Sequence, residues 1–170
     1  MNATPNELPP EARVWIFSAS RELTQADETR IHELMEKVLG VWRSKAAMVR
    51  GCYEIRDRRF LVVGADETGE RLSGCSIDAM MSWLLRLEAE SGLRLVDRMS
   101  VFWRGGDGRV RSASRAEFKT LVASGGAGPA TRVFDTTVSR AAALNGGRFE
   151  LPLSESWHAA LFLGDHAAAK

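Results

Sequence analysis

One short run of the sequence constrains the fold more than any other: FLVVGA, residues 60–65. None of its side chains is polar, so a strand formed by this run has no polar face to offer to solvent. Strands of that kind lie in the centre of a sheet and are covered on both faces. The preceding Asp57-Arg58 pair is typical of a tight turn between strands. The run is therefore predicted to pair with Val49–Arg56 as an antiparallel hairpin.

Other elements surround this hairpin in a fixed order. Arg13–Ser18 is rich in β-branched and aromatic residues, which favours a strand. A helix is predicted after Thr24, whose spacing to Asp27 resembles a capping box, and a second helix after SGCS. Leu95–Trp103 is predicted to be a further strand. Both helices carry an apolar stripe at helical spacing, formed by Ile31, Leu34, Met35, Val38 and Leu39 in the first and by Ile77, Met80, Met81, Leu84 and Leu85 in the second.

The first six elements follow the order β-α-β-β-α-β, which predicts an α+β protein with a ferredoxin-like core, an added hairpin strand and a C-terminal α/β extension. We predict a single domain over residues 13–163, with the core over 13–123 and the extension over 124–163. Residues 1–12 are expected to be a flexible arm and residues 164–170 a frayed tail.

The expected sheet raises the question of what covers its second face. With both helices on one face, Trp15, Phe17, Phe60 and Val62 would leave part of the other face apolar. An open apolar face of that size is unusual on a monomer. Either the segment after Gly126 folds back over it, which we favour, or a second subunit covers it in a homodimer.

Charge and cysteine content argue against several classes of function. The chain has 23 basic and 22 acidic side chains and a net charge of +1, which gives no electrostatic reason to expect nucleic acid or an anionic membrane as a partner. FLVVGA also lacks the aromatic pattern of a strand that stacks bases. The chain has no apolar run of transmembrane length and no signal-peptide pattern at its start. Cys52 and Cys75 then indicate free thiols, and we expect a cytoplasmic protein.

The stretch SGCS, residues 73–76, is the strongest candidate for a functional site. The first N–H groups of a helix and its dipole stabilise a thiolate, so a cysteine at that place can act as a nucleophile. Cys75 is the predicted nucleophile, His158 the general base, and Asp78, or alternatively Glu54, the residue that orients the base. The structural alternative is that Cys75 is a small buried residue and Asp78 a favourable charge in the first helical turn.

The same turn also suits non-covalent binding. Ser73, Gly74 and Ser76 would present hydroxyl and amide groups to a phosphate or carboxylate at a helix N-terminus. Arg56 and Arg98 are the arginines predicted to clamp such an anion. The alternative is that both arginines pair with carboxylates on a solvated surface.

No metal or cofactor is predicted. Glu54, Asp66 and Asp78 could supply oxygen ligands to a hard cation, but their spacing is not a known metal pattern. The three histidines do not form the i, i+4 pair that a helical zinc site uses.

Several segments resemble one protein family. SGCSID is the most specific of them, and the others are VWIFSASRELT, YEIRDRRFLVV, the DRM of residues 97–99, and SESWH. Together they resemble an uncharacterised bacterial family of small proteins that often carries the label ABC transporter ATPase. The resemblance runs from about Val14 to Phe162 and implies no activity, because none is established for the family.

The ATPase label conflicts with the residues of this chain. A P-loop needs glycine directly before its Lys-Ser/Thr pair. Lys119 alone precedes a threonine, and it follows Phe118. We therefore reject that label. The sequence favours a module that binds a small anionic ligand or a regulatory partner at the SGCS turn, with a Cys75-dependent enzyme as the alternative.

Overall fold

A computed structural model describes residues 4–45, 47–69, 71–95 and 99–164. The helices in these ranges are α1 (Gln25–Val41), α2 (Gly74–Ser91), α3 (Arg115–Ala123), α4 (Ala141–Ala143) and α5 (Ala159–Phe162). The strands are β1 (Arg13–Ser18), β2 (Arg43–Ser44), β3 (Ala47–Met48), β4 (Gly51–Arg56), β5 (Phe60–Ala65), β6 (Ser100–Arg104), β7 (Val110–Ser114), β8 (Arg132–Phe134) and β9 (Glu150–Pro152). The sheets are antiparallel, so the protein is α+β, as predicted. Within the described ranges, no helix is long and apolar enough to cross a bilayer.

Contacts between residues group the chain into two compact units. The first is formed by the described residues within Met1–Asp97 and Thr137–Gly146, and the second by those within Arg98–Thr136 and Gly147–Lys170. The sequence predicted one domain with a division near residue 123. The observed units divide the chain elsewhere, because residues 137–146 bond to the N-terminal part of the chain. That the chain folds as a single domain stays a prediction.

The sheet of the first unit has the strand order β1-β5-β4, with β5 in the centre. All six residues of β5 are buried, which confirms the interpretation of FLVVGA as a central strand. The hairpin turn is also where it was predicted, and Asp57 and Arg58 both adopt positive φ angles of 52° and 49°. In this turn the Arg59 amide donates to the Arg56 carbonyl at 3.0 Å.

Helices α1 and α2 pack together on one face of this sheet. In α1 the buried apolar residues are Ile31, Met35 and Val38, as the stripe predicted. In α2 the buried residues are Ser76, Met80, Leu84 and Leu87, whereas Leu85 is 51% exposed. The predicted stripe of α2 is therefore wrong at Leu85. Gly92 ends α2 with a φ of 67°, because glycine adopts this left-handed conformation without steric cost.

The second face of the sheet is covered within the chain. Trp15 and Phe17 face the helices, since they pair with Val63 and Leu61 in register and pack in the same core. This corrects the expectation that they lie beside Phe60 on the other face. Phe60, Val62 and Cys52, on that other face, are all fully buried. These three side chains are therefore not exposed, and the homodimer stays a prediction.

Two segments of the first unit lie against this sheet. The Leu8 side chain approaches Gly64 so closely that a Cβ atom there would stand 2.5 Å from Leu8 Cδ1. The Ser139 carbonyl accepts a hydrogen bond from the Val14 amide at 3.1 Å, and the Ala12 carbonyl accepts one from the Ala141 amide at 2.9 Å. Residues 4–12, predicted as a flexible arm, thus contact the sheet. The predicted frayed tail lies outside the described residues beyond 164.

The complete ferredoxin-like order is not confirmed. Its fourth strand was predicted over Leu95–Trp103 and would pair with β1. Instead, Ser100–Arg104 forms β6 of a second sheet, whose strand order is β7-β6-β8-β9. The free edge of β1 carries an isolated bridge between Arg13 and Arg140. Strand β6 thus pairs with the strands that follow it in the sequence, with β7 across the turn at residues 105–108 and with β8.

The second unit has its own core between this sheet and α3. A capping box of Ser114 and Glu117 begins α3. The Phe118 side chain is fully buried against Val101 and Val133, which come from neighbouring strands.

Candidate functional site

The SGCS turn forms the start of α2. Ser73 is the N-cap, and the helix proper begins at Gly74, within the SGCS stretch and not after it as predicted. Cys75 is therefore the second residue of the helix. The N–H groups of Gly74 and Cys75 have no acceptor within the helix, so they are open to a cap, to water or to a ligand. The first turn of α2 contains no acidic residue.

Ser76 has a structural role at this site. Its amide donates to Ser73 Oγ at 3.2 Å, and its own Oγ donates to the Ser73 carbonyl at 2.8 Å. The Ser76 carbonyl also accepts a bond from Trp42 Nε1 at 2.8 Å. Since Ser76 is only 2% exposed, its hydroxyl is turned into the protein. Of the predicted ligand-binding residues, Ser73 and Gly74 are the ones at the accessible end of the helix.

A neighbouring strand fixes the position of Ser73. The Ser73 amide donates to Ser44 Oγ at 2.9 Å. Ser44 also lines a groove of about 330 Å³, together with Val49, Arg50 and Leu72. No sequence pattern pointed to Ser44, because 29 residues separate it from Ser73 and nothing local indicates which strand meets the turn.

The charged wall of this groove is an ion pair. Arg50 Nη1 lies 3.1 Å from Asp66 Oδ2, and the Arg50 side chain is 83% exposed. Asp66 also accepts bonds from the Thr68 amide and hydroxyl at 2.9 Å and 2.6 Å. These donors from Thr68, assisted by Arg50, hold the pKa of Asp66 below its ordinary value. Arg50 is thus a cation beside the start of α2 that sequence reasoning missed.

The two arginines predicted to clamp an anion are not placed there. Arg56 pairs in register with Phe60 at the hairpin end of the sheet, about 16 Å along β4 from Gly51, whereas α2 follows the opposite end of β5. Its Nε lies 2.9 Å from Glu54 Oε2, and its Nη2 donates to Asn6 Oδ1 at 3.3 Å. This is the surface pairing named as the alternative. Arg98 lies outside the described residues.

The two cysteines are free and lie in opposite environments. Cys75 is exposed, so the alternative of a small buried residue is wrong for it. Cys52 is fully buried, and burial raises the pKa of its thiol to about 12. Asp78 is exposed on the same helix, three residues beyond Cys75. Cys75 is accordingly the cysteine that a reagent or substrate in solution can reach.

His158, the predicted base, belongs to the second unit. It is 3% exposed, its Nδ1 lies 2.7 Å from Ser156 Oγ, and its ring stacks on Trp157 at 3.9 Å. Burial lowers the pKa of the imidazole to about 4, with a further lowering by Arg115 and an opposing effect of Asp135. The ring is therefore neutral at pH 7. Cys75 and Asp78 belong to the first unit, and their partnership with His158 stays a prediction.

Metal ligands are not assembled in the described residues, where no group of three or more His, Cys, Asp or Glu side chains is placed to hold an ion. Glu54 pairs with Arg56 and Asp66 with Arg50. Asp78 lies on the exposed side of α2.

Comparisons with known proteins leave the family open. The chain matches no family model, no curated protein and no solved structure. The resemblance carried by SGCSID therefore stays a prediction.

Proposed function

We propose that the first unit is a cytoplasmic binding module that takes a small anionic ligand, or an anionic group of a regulatory partner, at the start of α2. The observation that carries this proposal is the composition of the first turn of α2, where exposed Gly74 and Cys75 precede any acidic residue. The helix dipole and the N–H groups favour an anion at such a place.

The surroundings support an anion that also has an apolar part. Arg50, which pairs with Asp66, still offers a solvent-facing guanidinium in the groove beside Ser73, and Arg71 lies exposed two residues before the N-cap. The groove also has apolar side chains, among them Val49 and Leu72, beside the polar residues Ser44, Asp66 and Thr68. A small carboxylate or phosphate ester with a short apolar group matches this combination.

The test compares two substitutions at Gly74. No atom lies within 4 Å of a Cβ atom built there, so a side chain is accommodated. Gly74→Glu places a carboxylate in the first turn and should abolish anion binding, whereas its neutral isostere Gly74→Gln should keep it. The measurement is an NMR titration of the ¹⁵N-labelled protein with sodium phosphate at constant ionic strength, followed at the Gly74 and Cys75 amides.

Saturable shifts in the wild type and in Gly74→Gln, lost in Gly74→Glu, would support the proposal. Unchanged amides in the wild type, or equal titration of both variants, would overturn it. In the Gly74 variants the residue 75 amide alone is compared.

The exposure of Cys75 favours a second candidate, a cysteine-dependent enzyme with Asp78 and His158 as its partners. Its first test is alkylation by iodoacetamide at pH 7.5, followed by mass spectrometry. Cys75 should react and buried Cys52 should not. Hydrolysis of p-nitrophenyl acetate should then be lost in Cys75→Ser. Activity that survives this change would eliminate the enzyme and leave the binding module intact.

A further inference from the structure

A second groove in the first unit lies far from the SGCS turn. It has a volume of about 580 Å³ and lies between α1 and the end of the β4–β5 hairpin, where its walls include Glu28, His32, Tyr53, Ile55 and Arg58. This volume falls within the range of small-molecule sites in proteins. The groove uses no residue of the proposed anion site.

One wall of the groove is aromatic. His32 lies on α1, one turn beyond Glu28, and its Nδ1 is 2.9 Å from the Tyr53 hydroxyl on β4. The two ring centroids are 5.5 Å apart, at an interplanar angle of 53°. Since the hydrogen bond links a helix to a strand, it fixes two ring surfaces beside the groove. Aromatic faces of this kind attract cations and pack against apolar groups.

The charges of the groove disfavour an anion. Its walls hold the carboxylates Glu28, Glu54 and Asp57 and a single guanidinium, that of Arg58. Arg58 donates to the Leu23 carbonyl from Nε at 3.0 Å and from Nη2 at 2.7 Å, and its Nε lies 3.3 Å from Glu28 Oε1. The Arg58 guanidinium is thus engaged in holding the loop before α1. Arg56, which does not line the groove, pairs with Glu54 at 2.9 Å. Three carboxylates therefore stand against two guanidinium groups, and the excess of charge is negative.

The positive end of the α1 dipole does not make the groove suitable for an anion. Asp27 accepts bonds from the amide and the hydroxyl of Thr24 and pairs with Arg21. An acidic side chain therefore already occupies the positive end of this helix. A ligand for this groove must bring positive charge and an apolar surface.

We propose that this groove binds a small organic cation, a protonated amine or guanidinium compound whose apolar chain lies against Tyr53 and Ile55. The charged end is recognised by the carboxylates of Glu28 and Glu54, each of which also pairs with an arginine. This proposal is independent of anion binding at α2, since the two sites share no residue and take ligands of opposite charge.

The experiment titrates the full-length ¹⁵N-labelled protein with agmatine at constant ionic strength, with succinate as the anionic control. We expect saturable shifts with agmatine, confined to amides around His32 and Tyr53, and none there with succinate. Glu28→Gln should weaken agmatine binding about tenfold, because it removes a charge-assisted hydrogen bond. The matched control is Glu33→Gln, which removes a carboxylate from the exposed side of α1 and should leave the affinity unchanged.

Glu54→Gln serves as a second variant, since Glu28→Gln also alters the first turn of α1. The absence of saturable shifts would overturn the proposal. So would equal weakening by Glu33→Gln and Glu28→Gln, because the binding would then be a general effect of surface charge. A folded Glu54→Gln protein that binds agmatine as tightly as the wild type would overturn the assigned role of Glu54.

Discussion

Helices α1 and α2 both begin at a hydroxyl residue whose oxygen accepts a bond from the amide three positions later. The distance is 3.2 Å from the Asp27 amide to Thr24 Oγ1 and 3.2 Å from the Ser76 amide to Ser73 Oγ. In α1 the residue at that third position is an aspartate that reaches back to the cap. In α2 it is a serine that turns inward.

The difference shows how one residue decides the chemistry of a helix start. Asp27 Oδ2 lies 2.6 Å from Arg21 Nη1 and accepts bonds from the Thr24 amide and hydroxyl at 2.8 Å and 2.6 Å. The positive end of α1 is thereby neutralised within the protein. The start of α2 has the same cap without a carboxylate, so its dipole is available to a ligand.

Removal of the carboxylate from α1 is expected to have the largest effect. Asp27→Asn should lower the free energy of unfolding by about 3 kcal/mol, because Asp27 is buried and the new amide group meets donors of Arg21 and Thr24. Urea denaturation followed at amides of α1 measures the loss. The control is Glu117→Gln in the exposed capping box of α3, whose effect should be smaller. An equal loss would show that burial does not matter at this position.

Lowering the pH should destabilise the second unit through His158 before it affects the Asp27 capping box of α1. Burial places the pKa of His158 at about 4, below its ordinary 6.5, so the unfolded chain binds the proton more readily. The second unit should therefore lose about 2 kcal/mol of stability as the pH falls from 6.5 towards 4. His158→Gln should remove this dependence, as measured by hydrogen exchange of the β6 and β8 amides. A wild-type profile that is flat over this range would contradict the assignment.

The Arg21 guanidinium and the Thr24 donors hold the pKa of Asp27 well below its ordinary 3.8. Its contribution is complete above that value and is lost as the pH falls below it. The stability of α1, obtained from the protection of its amides against hydrogen exchange, should thus stay constant until the pH falls below 4. The second unit should already have lost stability at a higher pH.

Removal of each cap hydroxyl tests the comparison directly. Ser73→Ala should cost about 1 kcal/mol, the usual contribution of an N-cap. Thr24→Ala should cost about 2 kcal/mol, because the Thr24 hydroxyl both accepts from the Asp27 amide and donates to its carboxylate. Thermal unfolding of the two variants at pH 7 gives the order. A larger loss of stability in Ser73→Ala than in Thr24→Ala would contradict the view that the Thr24 cap contributes more.

The smallest expected effect is a gain at Gly74. Gly74→Ala should stabilise α2 by about 0.5 kcal/mol, since alanine loses less backbone entropy on entering a helix. The same denaturation experiment measures it, with Gly92→Ala as the contrast. Gly92 has a positive φ, so alanine there should destabilise the protein. A loss at Gly74 would mean that this backbone needs glycine.

The features predicted correctly are those decided within a few residues. The capping box at Thr24 and the turn at Asp57-Arg58 depend on hydrogen bonds or backbone angles of near neighbours. The stripe of α2 was wrong at Leu85 because a helix accommodates two adjacent apolar stripes, and the neighbouring sheet and helix select the one that is buried. At the candidate site, the local pattern singled out Cys75 but left open whether it is exposed or buried, and it did not indicate Ser44 or Arg50.

By itself, the sequence determined the kind of protein: an antiparallel α+β chain with a buried central strand, free thiols and a helix that begins at the SGCS turn. These follow from local hydrogen bonding and from the burial that an apolar run demands. The tertiary structure alone decided that β6 joins a second sheet, that Ser44 meets Ser73 and that Arg56 lies at the far end of β4. Such pairings depend on segments far apart in the sequence. Backbone donors and acceptors are alike in every strand, so local residues do not determine which strands pair, and the partners are selected only when the whole chain folds.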